Sequence, residues 1–108
     1  MRLIIKGRKQ FEVPEDLATF AEEKIRKFED RIPKNAILEL ESADTRGPKG
    51  GEDKVCDLTM VLPGEKNPIH FTERTENFRK SIEFIEEKLE RELKRYKEER
   101  SYQDRGHG

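Results

Sequence analysis

Cysteine, histidine, tryptophan and long apolar runs are all scarce in this chain of 108 residues. The single cysteine, Cys56, excludes an internal disulfide framework and fits a reducing compartment. Tryptophan is absent, and the only histidines are His70 and His107. No CxxC, HExxH or GxSxG spacing occurs, so no metal site, cofactor or catalytic centre is expected. No apolar run approaches the ~18 residues of a membrane span. Only three apolar residues separate Arg2 from Lys6, so no signal peptide is expected and the cytoplasm is the predicted location. An excess of either charge is missing too. Lys and Arg total 23 against 24 Asp and Glu, a net charge of −1, so any affinity for nucleic acid has to come from local clustering. What is abundant is charge itself: 44% of residues are ionic and 31% hydrophobic, which predicts one domain with a small core and a very ionic surface.

The longest run without Gly or Pro contains Thr75–Glu99, and its period is helical. Phe78, Ile82, Ile85, Leu89, Leu93 and Tyr96 recur at spacings of three and four and form one apolar seam. Thr75 or Asn77 can cap its start with a side-chain oxygen. Lys80, Phe84, Lys88, Arg91 and Arg95 fall together on an arc roughly 80° wide beside that seam. Glu83, Glu86, Glu87 and Glu90 gather on the other flank. The plain alternative is a solvated helix laced by i,i+4 pairs such as Glu87–Arg91 and Glu90–Lys94. Yet the signs separate instead of mixing. Phe84 sits among the cations, where it either packs at the edge of the core or is exposed to stack on bases.

Leu3–Ile5 is a short strand that ends at Gly7. Phe11 and Val13 lead into Pro14, which suits the first turn of a helix predicted to reach about Asp30, with Leu17, Ala21, Ile25 and Phe28 inward. Lys24, Lys27 and Arg31 line one edge of this helix next to Phe20, a second and weaker basic edge. Ala36–Ser42 and Val55–Leu62 read as strands. In the latter, Cys56 shares a face with Leu58, Met60 and Leu62, as a small core residue and not a nucleophile. The loop Ala43–Lys54 between them is glycine-rich and is expected to be mobile. It lacks the spacing and the following helix of a phosphate-binding loop. Pro63-Gly64 is a turn. Asn67–Thr72 is a last strand with His70 facing solvent, and residues 100–108 are expected to be a disordered tail after a domain of residues 1–99.

The resulting order, β-α-β-β-β-α, predicts an α+β fold in two layers. Three strands form a meander, and both helices cover one face of a four-stranded sheet. Such packing would bring the two basic helix edges near each other.

The opening IIKGRKQFEVPEDLATFAEEKIRKFE, the turn VLPGEKNPIHFTE and above all EKLERELKRYKE resemble the ribosome hibernation promoting factors, the ribosome-associated inhibitor family once named for sigma-factor modulation. The similarity runs from Leu3 to about Lys97, and Lys88–Arg91 is its most specific piece. It implies a fold related to double-stranded-RNA-binding domains. It implies binding in the channel of the small ribosomal subunit, where messenger and transfer RNA would sit. The family's basic helix residues carry over at Lys24 and Lys27, and at Lys88, Arg91 and Arg95. Phe84 stands where an aliphatic residue is common, and Asp30 where a basic residue is frequent. With no further domain after the helix, the chain resembles the short class. The expected RNA-binding set is Lys24, Lys27, Arg31, Lys80, Phe84, Lys88, Arg91 and Arg95. The expected partner is the small subunit with its ribosomal RNA, with no membrane or small-molecule substrate and a monomer off the ribosome. The alternatives are a protein-interaction module of the same fold without ribosome binding, or a generic double-stranded-RNA binder.

Overall fold

The structure, a computed structural model, describes residues 1–45 and 53–106, with side chains as far as Glu99. Strand β1 (Arg2–Gly7) is followed by helix α1 (Glu15–Arg26), then by strands β2 (Ile37–Asp44), β3 (Lys54–Val61) and β4 (Ile69–Thr75) and helix α2 (Phe78–Gly106). The sheet order is β1-β2-β3-β4. The β2-β3-β4 part is an antiparallel meander, and β1 lies parallel to β2 because α1 carries the chain back across the sheet. This is the predicted two-layer arrangement.

Alternation decides which side of the sheet is covered. Leu38 and Leu40 of β2 pair with Met60 and Leu58 of β3. All four are fully buried, as is Cys56, against Ile82, Ile85 and Leu89 of α2 and Leu17, Ala21 and Ile25 of α1. The opposite face is open and polar. There Lys6 pairs with Glu39 at 3.0 Å, and Arg8 pairs with Glu41 at 2.5 Å and with Asp57. The Glu41 carboxylate is the main reason the Arg8 pKa is raised. Ile37 and Val61 face each other across β2 and β3 on this open side.

Two turns explain their glycines. Gly7 is followed by a tight reversal in which Phe11 N–H donates to the Arg8 carbonyl, with Lys9 at φ 56°. A Cβ at Gly7 would lie 1.8 Å from the Phe11 carbonyl oxygen, so no side chain fits. At Leu62–Glu65 the Glu65 N–H donates to the Leu62 carbonyl, with Gly64 at φ 82°, the positive value that a Pro-Gly turn of this kind requires.

Several boundaries differ from those predicted. Helix α1 stops at Arg26, not Asp30: the Phe28 N–H donates to Ile25, three residues back, and a 3-10 turn at Glu29–Arg31 follows. Strand β4 begins and ends later than predicted, since Thr75 still pairs with Lys54. Strands β2 and β3 take in Asp44 and Lys54, which shortens the loop. Its ends are joined by the Thr45 N–H donating to the Asp53 carbonyl at 2.9 Å, while its glycines and Lys49 lie outside the described residues. Helix α2 runs on through residues 100–106, where the sequence alone predicts a disordered tail; no Gly or Pro interrupts the chain from Ile69 to Arg105, so nothing breaks the spiral earlier.

Candidate nucleic-acid interface

Helix α2 is tied to the sheet at its start and again at Tyr96. At its start the Asn77 Oδ1 accepts the Arg79 amide at 2.7 Å, which makes Asn77 the cap. Thr75 supports it by accepting the Asn77 amide at 3.1 Å. The buried Ser81 hydroxyl meets Thr75 Oγ1 at 2.7 Å and donates to the Lys54 carbonyl at 2.8 Å, tying the first turn to β3. Towards the far end the Tyr96 hydroxyl donates to the Pro63 carbonyl at 2.8 Å. Between these ties Ile82, Ile85, Leu89 and Leu93 are buried, so the seam predicted from the period is the seam that packs. This fixes which way the polar arcs point.

The cations of the predicted arc are exposed or half-buried, and Phe84 is exposed among them at 36%, not tucked into the core. Most of these cations are not free. Lys88 Nζ lies 2.5 Å from Glu73 of the edge strand β4. Arg95 holds Glu92 at 3.0 Å, Glu99 at 2.6 Å and Glu65 at 3.1 Å. Glu99 first, then Glu92, raise the Arg95 pKa well above the usual arginine value. Lys80 pairs with Glu76 at 3.2 Å. Arg91 has no ion pair among the described residues, and the i,i+4 pairs Glu87–Arg91 and Glu90–Lys94 are not formed among them.

The first-helix edge lies elsewhere. Lys27 Nζ sits against Glu86 of α2, and Lys24 Nζ is 4.0 Å from the same carboxylate. Glu86 and Lys88 are about 160° apart around the helix axis at ~100° per residue. Helix α1 therefore covers the Glu86 flank, while the basic arc faces outward and towards the edge of β4. The predicted closeness of the two basic edges is corrected by this: the acidic flank of α2 turns towards α1, where two lysines neutralise it. Arg31, beyond the end of α1, lies 5.5 Å from the Phe28 ring and has no carboxylate partner among the described residues.

Arg79, at the start of α2, bridges to helix α1. Its guanidinium lies 4.6 Å from the Phe20 ring and 3.4 Å from Asp16. Lys24 approaches the same ring at 5.2 Å. Glu73 and Glu86 were equally unanticipated as partners. The signal for Glu73 is its alternation with Ile69 and Phe71, which turns it to the helix side of β4.

Among the described residues no group of three or more His, Cys, Asp or Glu could hold a metal ion. None of their helices is long and apolar enough to cross a membrane. A small two-layer α+β domain that displays cations and an aromatic ring on one exposed helix is a binding module in form. The family model described as "Sigma 54 modulation protein / S30EA ribosomal protein" matches residues 3–101, and the chain belongs to that family of ribosome-associated proteins. No curated protein matches the chain in sequence. Among solved structures, the chain is similar to a ribosomal subunit interface protein from Coxiella burnetii, with a TM-score of 0.70, 21% identity, and coverage of 90% of this chain and 98% of that one. It is likewise similar to the Protein Y N-terminal domain of Thermus thermophilus, with a TM-score of 0.70, 15% identity, and coverage of 89% and 99%. At these identities the two likenesses show the fold, a four-stranded mixed sheet with two helices in the order β-α-β-β-β-α.

Proposed function

We propose that the protein is a non-enzymatic cytoplasmic translation inhibitor that binds the small ribosomal subunit in the channel for messenger and transfer RNA. The observation that carries this reading is the exposed arc of Lys80, Phe84, Lys88, Arg91 and Arg95 on a rigidly tied helix, in a chain of a ribosome-associated family. The cations meet ribosomal RNA phosphates and the folded body excludes messenger and transfer RNA. No bond is made or broken in this mechanism.

The carboxylates beside the arc do not prevent it. The Arg95–Glu99 pair is solvent-exposed and worth about 0–1 kcal/mol, so a phosphate displaces Glu99 at small cost, whereas Glu73 is only 18% exposed and holds Lys88 more firmly. Each phosphate contact also releases counterions, which gives the binding its free energy and its salt dependence. Lys24, Lys27 and Arg31 extend the contact on the other side of α2, with Lys24 and Lys27 weakened by their hold on Glu86. A second reading, a protein-interaction module, draws on that same neutralisation together with the net charge of −1.

The test is sedimentation of the purified protein with separated ribosomal subunits over a salt series, with initiator transfer RNA as competitor. The proposal predicts pelleting with the small subunit, loss as salt rises, and displacement by the transfer RNA. Salt-independent pelleting, or pelleting with the large subunit alone, refutes it.

A further inference from the structure

The basic arc borders a groove that a simple phosphate-binding surface would not need. It lies between the edge strand β4 and helix α2, has a volume of about 330 Å³, and is lined by His70, Phe71, Lys88, Arg91 and Glu92. This is at the lower end of the roughly 300–1,000 Å³ of small-molecule sites. Its chemistry is mixed. Lys88 and Arg91 are one turn apart on one side of the helix, close enough to share one phosphate. Arg91 is the cation of the arc with no carboxylate to displace among the described residues. Glu92 is an acceptor fixed in place by Arg95 Nε at 3.0 Å. The outer edge of β4 leaves backbone N–H and C=O groups without a neighbouring strand. The exposed Phe84 ring stands one turn before Lys88 on the same arc.

We propose that this groove receives one unpaired nucleotide of a bound RNA strand. The inference rests on the RNA-binding reading above and narrows it to single-stranded RNA. Arg91 and Lys88 take the phosphate. Glu92 and the β4 edge meet the hydrogen-bonding edge of the base, and Phe84 stacks on the next base. A purely anionic ligand is disfavoured because Glu92 would face it. A nucleotide offers both an anion for the cations and an exocyclic amine for the carboxylate, the pairing by which acidic side chains recognise cytosine N4. In a duplex that edge is already paired, whereas an unpaired base can turn out and stack.

The probes are cytidine 5′-monophosphate, uridine 5′-monophosphate, inorganic phosphate, and a short RNA given single-stranded or as a duplex, each titrated into isotope-labelled protein while backbone amides are followed. The expected result is shifts at residues 69–72 and 88–92 with cytidine monophosphate and the single strand, and tighter binding of the cytidine than of the uridine nucleotide. Arg91→Ala is expected to weaken both by about tenfold, the loss of one charge-assisted hydrogen bond. Glu92→Gln is expected to erase the preference for cytidine. Equal affinity for phosphate and nucleotide, equal affinity for duplex and single strand, or shifts elsewhere overturns the groove. Sedimentation with the small subunit separates the two claims. Pelleting without nucleotide binding in the groove overturns this inference alone, whereas failure to pellet with the small subunit overturns the ribosomal reading.

Discussion

The carboxylate of Glu86 offers a sharp test of how the two helices are held. Its Oε2 is shut off from solvent, Lys27 sits against it, and Lys24 is 4.0 Å away. Lys27→Ala removes the main partner and leaves a carboxylate facing the α1–α2 seam. Stranding a buried acceptor costs about 1–3 kcal/mol, more for a charge. Lys27 is itself 53% exposed and Lys24 remains, so water and the second lysine recover part of the loss. The expected cost is about 1–2 kcal/mol, a fall in Tm of roughly 5–10 °C for a domain near this size. Glu86→Gln keeps the shape, removes the charge, and should cost less than Lys27→Ala. The double variant should then lose less than the sum of the singles, with a coupling of about 1 kcal/mol. The assay is a double-mutant cycle by urea and thermal unfolding. A Lys27→Ala protein that melts within a degree or two of the parent, or strictly additive singles, refutes the clamp. Ribosome pelleting of the same variants supplies the functional arm: Glu86→Gln frees Lys24 and Lys27 and should strengthen binding at moderate salt.

Burial raises the Cys56 thiol to about 11 from its ordinary 9.0. The folded state therefore favours the neutral thiol, and its contribution to stability is complete below pH 9 and falls between about pH 9 and pH 11; a Cys56→Ala control should flatten that decline, and the parent thiol should resist alkylating reagents at pH 8 until the protein unfolds. Gly7→Ala should cost about 3 kcal/mol in denaturant unfolding, because its Cβ would strike the Phe11 carbonyl backbone; a loss below 1 kcal/mol would show that the turn relaxes. Among the described side chains Tyr96 is the last one packed on the core, so deletion of residues 100–108 is expected to leave Tm nearly unchanged, and a drop of many degrees by calorimetry would show that this segment contributes to the fold.

Local pattern carried the elements, and partners distant in sequence decided the rest. The α2 seam was legible because Ile82, Ile85, Leu89 and Leu93 bury a face set by helical period alone. The strand faces were legible for the same reason, down to the burial of Cys56 beside Leu58 and Met60. The arc of cations was legible as an arc, but its electrostatics were not. Glu73 and Glu65 come from β4 and the turn before it, and only the docking of α2 brings them to Lys88 and Arg95. The relation of the two basic edges also escaped the sequence, since the period says which residues share a face but not which flank of α2 meets α1. That was settled by Glu86 taking Lys24 and Lys27 and by Arg79 resting on Phe20.

The most direct measurement of the central claim is salt-dependent sedimentation of two matched double variants with the small ribosomal subunit. Lys88→Gln with Arg91→Gln removes two charges from the outward arc beside β4. Lys94→Gln with Lys97→Gln removes two from the same helix off that arc, where neither lysine has an ion pair among the described residues. Neither pair lies on the buried seam, so both proteins should fold. If the arc is the RNA-contact surface, the first double loses most of the binding and lowers the log–log salt slope by roughly 0.7–0.9 per lost phosphate contact, while the second stays close to the parent. Equal losses from the two doubles would mean that net charge alone governs the association, and would contradict the assignment of the arc.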